Sequence, residues 1–248
     1  MNERAIYGRN AVEEALKQPT LINRLLLAKE SRANWVNAVV DQARTHKVRF
    51  DFVPQAKLNQ LTGTREHQGV VVMISPVAYV SLADCLAGCP PKATLLALDQ
   101  VQNPKNLGML IRTAACAGVS GVLLPARGGA LLDEDVVRAS AGAILHVPVV
   151  NCGNLSQALR ELKEQGFWIY GLDVQGEEDV FNVSWPERVA LVVGNETDGM
   201  SPIAKKACDA RVRIPMTPGQ DSLNVVVAAG IALFQVFARR THEREEQE

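Results

Sequence analysis

Apolar positions along the chain switch repeatedly between two spacings. Ala11, Val12, Ala15 and Leu16 recur at helical intervals, residues 21–28 read as a strand, 35–43 as a second helix, and 48–53 alternate as a strand does. A third helix and a strand reaching Ile74 complete the reading, which predicts a small α/β module over residues 1–75. Ser75-Pro76 and then Cys89-Pro90-Pro91 interrupt the periodicity with residues that neither a helix nor a central strand continues through, so 76–92 is expected to be a linker.

Beyond it the alternation resumes over 93–248. Strands are expected at 94–98, 121–124, 147–150, 167–171, 189–193 and 211–214. Helices are expected at 107–117, 134–141, 155–165, 202–207 and 223–239. Strands alternating with helices imply a parallel sheet covered on both faces, and ligands of such sheets sit at the carboxyl ends of the strands. The tail from Thr241 is polar or charged throughout and is expected to fray.

Composition adds little to this picture except exclusions. At 47% hydrophobic and 21% charged residues, the chain matches ordinary globular proteins. Its longest apolar runs, such as 70–74 and 189–193, are strand-sized, and Met1-Asn2-Glu3-Arg4 lacks the order of a signal peptide, so a cytoplasmic protein with no membrane partner is expected. Five scattered cysteines, an odd number, argue against a disulfide framework, and Cys85 and Cys89 have no second pair beside them to hold a metal. The net charge of −1 hides an asymmetry: 11 Lys and Arg against 7 Asp and Glu in residues 1–80, 15 against 20 in the rest. The basic amino-terminal part suits an acidic partner or simply a solvated surface.

Three polar segments follow strands of the second part. The first runs from Asp99 through Asn103-Pro104-Lys105-Asn106 to Arg112. The second is Gly194-Asn195-Glu196-Thr197-Asp198-Gly199, and the third runs from Ile214-Pro215-Met216 to Ser222-Leu223-Asn224-Val225. Each alone is open to a plain structural account. Asn103 or Asn106 suits a helix cap with Arg112 on the surface, the second segment a strand-turn-helix, and Ser222 a helix cap with Asn224 in the first turn. Three such loops at one edge of one sheet are better explained together.

In that combination the strings resemble the three motifs of the SpoU (TrmH-like) family of the SPOUT superfamily, RNA 2′-O-ribose methyltransferases, and look most like the bacterial 23S rRNA guanosine enzymes. Tyr7-Gly8-Arg9-Asn10 and His67-Gln68-Gly69-Val70 are similar to the ends of the L30-like RNA-substrate-binding domain that bacterial members carry first. The resemblance implies S-adenosylmethionine as cofactor, a carboxyl-terminal trefoil knot around it, a homodimer, and RNA rather than DNA as partner, with rRNA ahead of tRNA. It implies Arg112 as the catalytic residue, with Asn106, Glu196, Ser222 and Asn224 shaping the pocket and Glu196 bonded to Arg112 or Asn106. Leu172, Gly194, Ile214 and Leu223 would hold the cofactor, without a metal. Family accounts often make the Arg a base; a guanidinium essentially never deprotonates, which favours a cation that positions phosphate and stabilises an alkoxide. His67 is expected to touch RNA, and His46, His146 and His242 to be surface or packing residues. The third motif departs from the family in Pro218-Gly219, where relatives usually have Gly one residue earlier, and in Val226 for a common Ser. A tRNA methyltransferase of the same family and a non-catalytic ribosome-assembly factor on the same scaffold are the alternatives. No Gly-x-Gly-x-x-Gly follows any expected strand and no Gly-x-x-x-x-Gly-Lys-Ser/Thr occurs, so dinucleotide and P-loop readings fall away.

Overall fold

The computed structural model describes residues 5–29, 31, 34–219 and 222–245. The chain divides into two compact units, residues 1–79 with 131–134, and residues 80–130 with 135–248.

The first unit is built on strands β1 (Ala5–Tyr7), β2 (Ile22–Ala28), β3 (Phe50–Val53) and β4 (Val70–Ile74) in the order β1-β4-β2-β3, with β2 and β3 parallel and the other pairs antiparallel. Helices α1 (Arg9–Ala15) and α2 (Asn34–Thr45) cover one face, where Val12, Val36, Val39 and Ala43 pack on Leu25, Leu27, Val70 and Val72. Helix α3 (Gln55–Thr62) covers the other through Leu58. The strand β1 was not anticipated. It is three residues long, too short for alternation to show, and exists because its backbone pairs with β4.

A register shift between Ile22 and Arg24 makes Asn23 a bulge, buried to 1% exposure. Its amide is satisfied on both sides: Nδ2 donates to the carbonyl of Leu132 at 2.6 Å, and Oδ1 accepts from the hydroxyl of Tyr79 at 2.9 Å. Burial pushes that Tyr79 phenol up to about 12.

His67, expected at an RNA surface, is instead fully buried. Its Nδ1 accepts from the amide of Gly69 at 3.0 Å, so Nε2 carries the proton and donates to Asn59 Oδ1 at 2.8 Å. The ring closes the turn that starts β4. His46 and His146 are exposed, and the side chain of His242 lies outside the described residues.

The second unit is a seven-stranded, wholly parallel sheet of β5 (Ala93–Leu98), β6 (Gly121–Pro125), β7 (Val149–Gly153), β8 (Trp168–Leu172), β9 (Glu178–Asp179), β10 (Arg188–Val193) and β11 (Ala210–Arg213), in the order β7-β6-β5-β10-β8-β11-β9. Strands β5 and β6 are buried at every position, as a sheet covered on both faces requires. On one face α7 (Leu155–Glu164) and α8 (Pro202–Ala207) pack through Leu159, Leu162 and Ala204. The helices α5 (Pro104–Cys116) and α9 (Val225–Glu245) pack against each other, and α9 lies beside β10. A short helix, α6 (Glu134–Ala139), sits so close to α5 that a Cβ on Gly108 would stand 2.5 Å from that of Ala139 and 2.7 Å from the Val136 carbonyl.

Residues 76–92, expected to be linker, contain the helix α4 (Leu82–Ala87). Ser81 caps it by accepting from the Asp84 amide at 3.0 Å, and Leu82 and Cys85 enter the core of the second unit. The sequence shows a short apolar-periodic piece here, but the glycine and paired prolines beside it outweigh six residues of pattern. The tail also differs from expectation: α9 continues to Glu245, and 246–248 lie outside the described residues, as do Met1–Arg4. Arg240 holds this helix down, donating to Thr94 Oγ1 at 2.7 Å and to the carbonyls of Ala93 at 3.1 Å and Glu187 at 2.8 Å. No helix among the described residues is long and apolar enough to cross a membrane.

Candidate active site

The three polar segments meet at the carboxyl edge of the parallel sheet. After β5, Asn103 caps α5: its Oδ1 accepts from the amides of Lys105 at 2.9 Å and Asn106 at 3.4 Å. That duty leaves the Asn106 side chain free for another. It is 8% exposed, and its Nδ2 donates to Glu196 Oε1 at 2.8 Å.

The loop carrying Glu196 is itself tightly fixed. Asn195 and Gly199 exchange both backbone hydrogen bonds, at 2.9 and 3.0 Å, and Asn195 Oδ1 accepts from the amides of Thr197 at 2.7 Å and Asp198 at 3.3 Å. Two further bonds latch the loop to the segment after β5: Asn195 Nδ2 donates to the Gln100 carbonyl at 3.1 Å, and the Ser201 amide donates to Asp99 Oδ2 at 2.6 Å. Gln100 is held at φ 63°, a left-handed conformation that costs a non-glycine residue on the order of 1–3 kcal/mol and persists only where its surroundings enforce it. Gly194 is required by packing: a Cβ there would lie 2.1 Å from both Gly199 C and the Met200 nitrogen.

The opposite wall comes from the ends of β8 and β11. Leu172 and Asp173 leave β8, Ile214 leaves β11, and Ser222 and Leu223 precede α9; together with Gly194 and Glu196 they line one cavity of about 460 Å³. Asp173 forms ion pairs with Lys205 at 2.8 Å and Arg211 at 3.8 Å. Burial by itself would raise this carboxyl, but the Lys205 ammonium, the Gln175 amide and Arg211 outweigh it and hold the group below the usual carboxylate range.

Of the nine residues singled out in the sequence, six line this cavity: Leu172, Gly194, Glu196, Ile214, Ser222 and Leu223. Asn106 joins them through Glu196, which settles that carboxylate's partner as Asn106. Arg112 stands apart on the exposed side of α5, outside the cavity lining. Ser222 does not cap the last helix. Asn224 does so, its Oδ1 accepting from the Val226 amide at 2.9 Å, and α9 starts at Val225. Gln220 and Asp221 of the third segment lie outside the described residues. Sequence reasoning passed over Asp99, Gln100 and Asn195, whose partners are about a hundred positions away, and Asp173, a lone acid in an unremarked turn. The acids directly after β5 and β8, Asp99 and Asp173, were the available signal.

The comparisons with known proteins agree with this geometry. The profile described as "SpoU rRNA Methylase family" matches residues 93–234, and the one described as "RNA 2'-O ribose methyltransferase substrate binding" matches residues 5–80. The chain is 36% identical over 243 residues to a protein of Staphylococcus aureus (strain MSSA476) named as a TrmH family tRNA/rRNA methyltransferase, covering 97% of this chain and 98% of that one. Among solved structures it resembles an AdoMet-bound rRNA methyltransferase from Sinorhizobium meliloti, with TM-score 0.61, 26% identity and coverage of 95% of this chain and 87% of the other. It shares its fold with the SpoU methyltransferase AviRb from Streptomyces viridochromogenes in complex with AdoMet, with TM-score 0.63, 23% identity and coverage of 96% and 90%.

Proposed function

Because the chain belongs to the SpoU rRNA methylase family, we propose that it transfers a methyl group from S-adenosylmethionine to a ribose 2′-hydroxyl of RNA, with a guanosine of 23S rRNA as the target. The observation that carries this reading is the convergence of all four expected cofactor-binding positions, Leu172, Gly194, Ile214 and Leu223, on one cavity beside the Asn106–Glu196 hydrogen bond.

The cavity fits the cofactor. Its volume of about 460 Å³ falls in the roughly 300–1,000 Å³ typical of small-molecule sites. Apolar Leu172, Ile214 and Leu223 suit the faces of a purine, and at Gly194 the absent side chain leaves backbone at the wall. When bound, S-adenosylmethionine supplies an electrophilic methyl group on a sulfonium. The protein's part is alignment and charge: the Arg112 guanidinium pairs with the phosphate of the target nucleotide and stabilises the 2′-alkoxide that develops as the hydroxyl gives up its proton to solvent. Asn106 and Glu196 fix the loop on the cavity wall, Ser222 lines the cavity, and Asn224 caps α9.

The target nucleotide must be accessible, so a loop suits better than a paired stem. The first unit serves as the RNA-substrate-binding domain; its profile match and its excess of basic residues support this. The resemblance to an rRNA methyltransferase over 95% of the chain, both units included, supports rRNA ahead of tRNA. The enzyme acts in the cytoplasm.

The protein functions as a homodimer whose partner completes the site at Arg112. Support comes from a bare apolar face on α5 and α9, where Met109, Val227, Phe234 and Phe237 are each 39–50% exposed and the two phenylalanine rings meet edge to face at 6.0 Å. The carboxyl-terminal segment forms a trefoil knot. In support, β11 lies beyond β8, yet the chain returns past the ends of β8 and β10 to pack α9 on α5.

Mapping 2′-O-methylated nucleotides in ribosomal and transfer RNA from cells with and without the protein tests the assignment. Loss of one 2′-O-methylguanosine from 23S rRNA is expected; loss confined to transfer RNA would overturn the rRNA target.

A further inference from the structure

Strands β1, β2 and β3 of the first unit run in one direction and β4 runs against them, so Tyr7, Ala28 and Val53 close one end of the sheet and Val70 opens there. The turn from His67 to Gly69 belongs to the same end. Buried His67 anchors it, and exposed Gln68, held at φ 52°, accepts from the Arg9 amide through Oε1 at 2.8 Å. The Nε2 donors of Gln68 meet no partner among the described residues.

The basic residues of this unit divide by position. Arg9, Lys17, Arg24 and Arg44 are paired with Glu13, Glu14, Asp51 and Asp41. Lys29, Lys57 and Arg65 are exposed and pair with no carboxylate among the described residues. All three lie where the chain passes the end closed by Tyr7. Lys29 directly follows β2, Lys57 is in the first turn of α3, which follows β3, and Arg65 is in the segment that leads from α3 to β4. Glu66 is the one acid there without an ion pair among the described residues, so the balance at this end is positive. Tyr7 stands among these cations with its side chain 40% exposed. Unpaired cations attract phosphates, and an exposed ring beside them offers a base a face to stack on.

We propose that this end of the first unit is the surface that holds the RNA, with Lys29, Lys57 and Arg65 on phosphates and Tyr7 stacked on an unpaired base beside Gln68. This rests on the RNA methyltransferase reading above and deepens it. The segment held is single-stranded, because stacking on a side chain needs a base that is out of its helix.

Filter retention of a 23S rRNA transcript by the full chain, over a range of salt concentrations, tests this. Each phosphate contact contributes roughly 0.7–0.9 to the slope of log affinity against log salt. Lys29→Ala, Lys57→Ala and Arg65→Ala combined should therefore weaken binding and reduce that slope by about 2–3. Tyr7→Ala should weaken binding about tenfold with the slope unchanged. The pair Lys17→Ala and Arg44→Ala removes two paired cations from the other end of the sheet and should keep the wild-type slope. S-adenosylhomocysteine binding should be unchanged in every variant. A wild-type slope in the triple variant overturns the proposal, as does wild-type affinity in Tyr7→Ala. An equal loss per charge in the Lys17 and Arg44 variant would mean diffuse attraction and overturn it too. If the wild type methylates ribosomal RNA while the triple variant binds as before, this inference alone falls. A wild type that neither binds nor methylates RNA overturns the RNA reading, and this inference with it.

Discussion

Asn106 and Glu196, 90 positions apart in the sequence, are joined by a 2.8 Å hydrogen bond from Nδ2 to Oε1. The bond ties the first turn of α5 to the loop after β10, and so joins the helix that carries Arg112 to the wall of the cavity. Glu196→Ala would strand a buried amide, which costs about 1–3 kcal/mol. Urea denaturation should show that loss in Glu196→Ala and a smaller one in Glu196→Gln, which keeps an acceptor. An unchanged midpoint in Glu196→Ala would mean the bond contributes nothing in solution.

Gly194→Ala places a methyl group 2.1 Å from the backbone of Gly199 and Met200. Overpacking of this kind costs roughly 1–3 kcal/mol, and here the backbone that must move is the cavity wall. A lower melting temperature together with weaker S-adenosylhomocysteine binding is expected. Wild-type affinity in this variant would show that the loop at 194–200 does not shape the cofactor site.

The carboxyl of Asp173 is held below its unfolded value, so the folded state binds that proton less readily than the unfolded chain does. Its contribution to stability is present above the unfolded value, near pH 4, and is lost as pH falls through the lower folded value. Acid denaturation of the wild type should therefore steepen below about pH 4. Asp173→Asn should be less stable at neutral pH and flatter in that range; parallel curves would remove the ion pairs with Lys205 and Arg211 from the account.

The exposed rings of Phe234 and Phe237 predict association through α9. Light scattering on the wild type should give twice the chain mass, and Phe234→Glu with Phe237→Glu should give the monomer mass with the circular dichroism spectrum retained. A monomeric wild type, or a dimer unaffected by the charges, would move the interface elsewhere.

The order of strands and helices was legible because most elements here are long enough to show their period. α7 carries Leu155, Ala158, Leu159 and Leu162 on one buried face, and β5 is apolar throughout. What escaped were elements defined by partners rather than pattern: β1, β9 and α4, each of two to six residues. The site divides in the same way. The resemblance of the three segments to family motifs marked Gly194, Glu196 and Ile214, whereas the latch from Asp99 to Ser201 spans 102 positions and leaves no local trace. Capping misled at Ser222, because Asn224 is two residues nearer the helix and its shorter reach to the Val226 amide wins. The histidine of His67-Gln-Gly reads as a surface donor until the Gly69 amide is seen to fill its Nδ1.

The most direct test is methyl transfer from labelled S-adenosylmethionine to ribosomal and transfer RNA, comparing the wild type with Arg112→Ala. Label should enter large-subunit ribosomal RNA with the wild type and fall by at least about a hundredfold in the variant, the scale on which removal of one charge-stabilising donor acts, with S-adenosylhomocysteine binding unchanged. Equal transfer by the two proteins, or no transfer to either RNA by a wild type that binds the cofactor, would contradict the account.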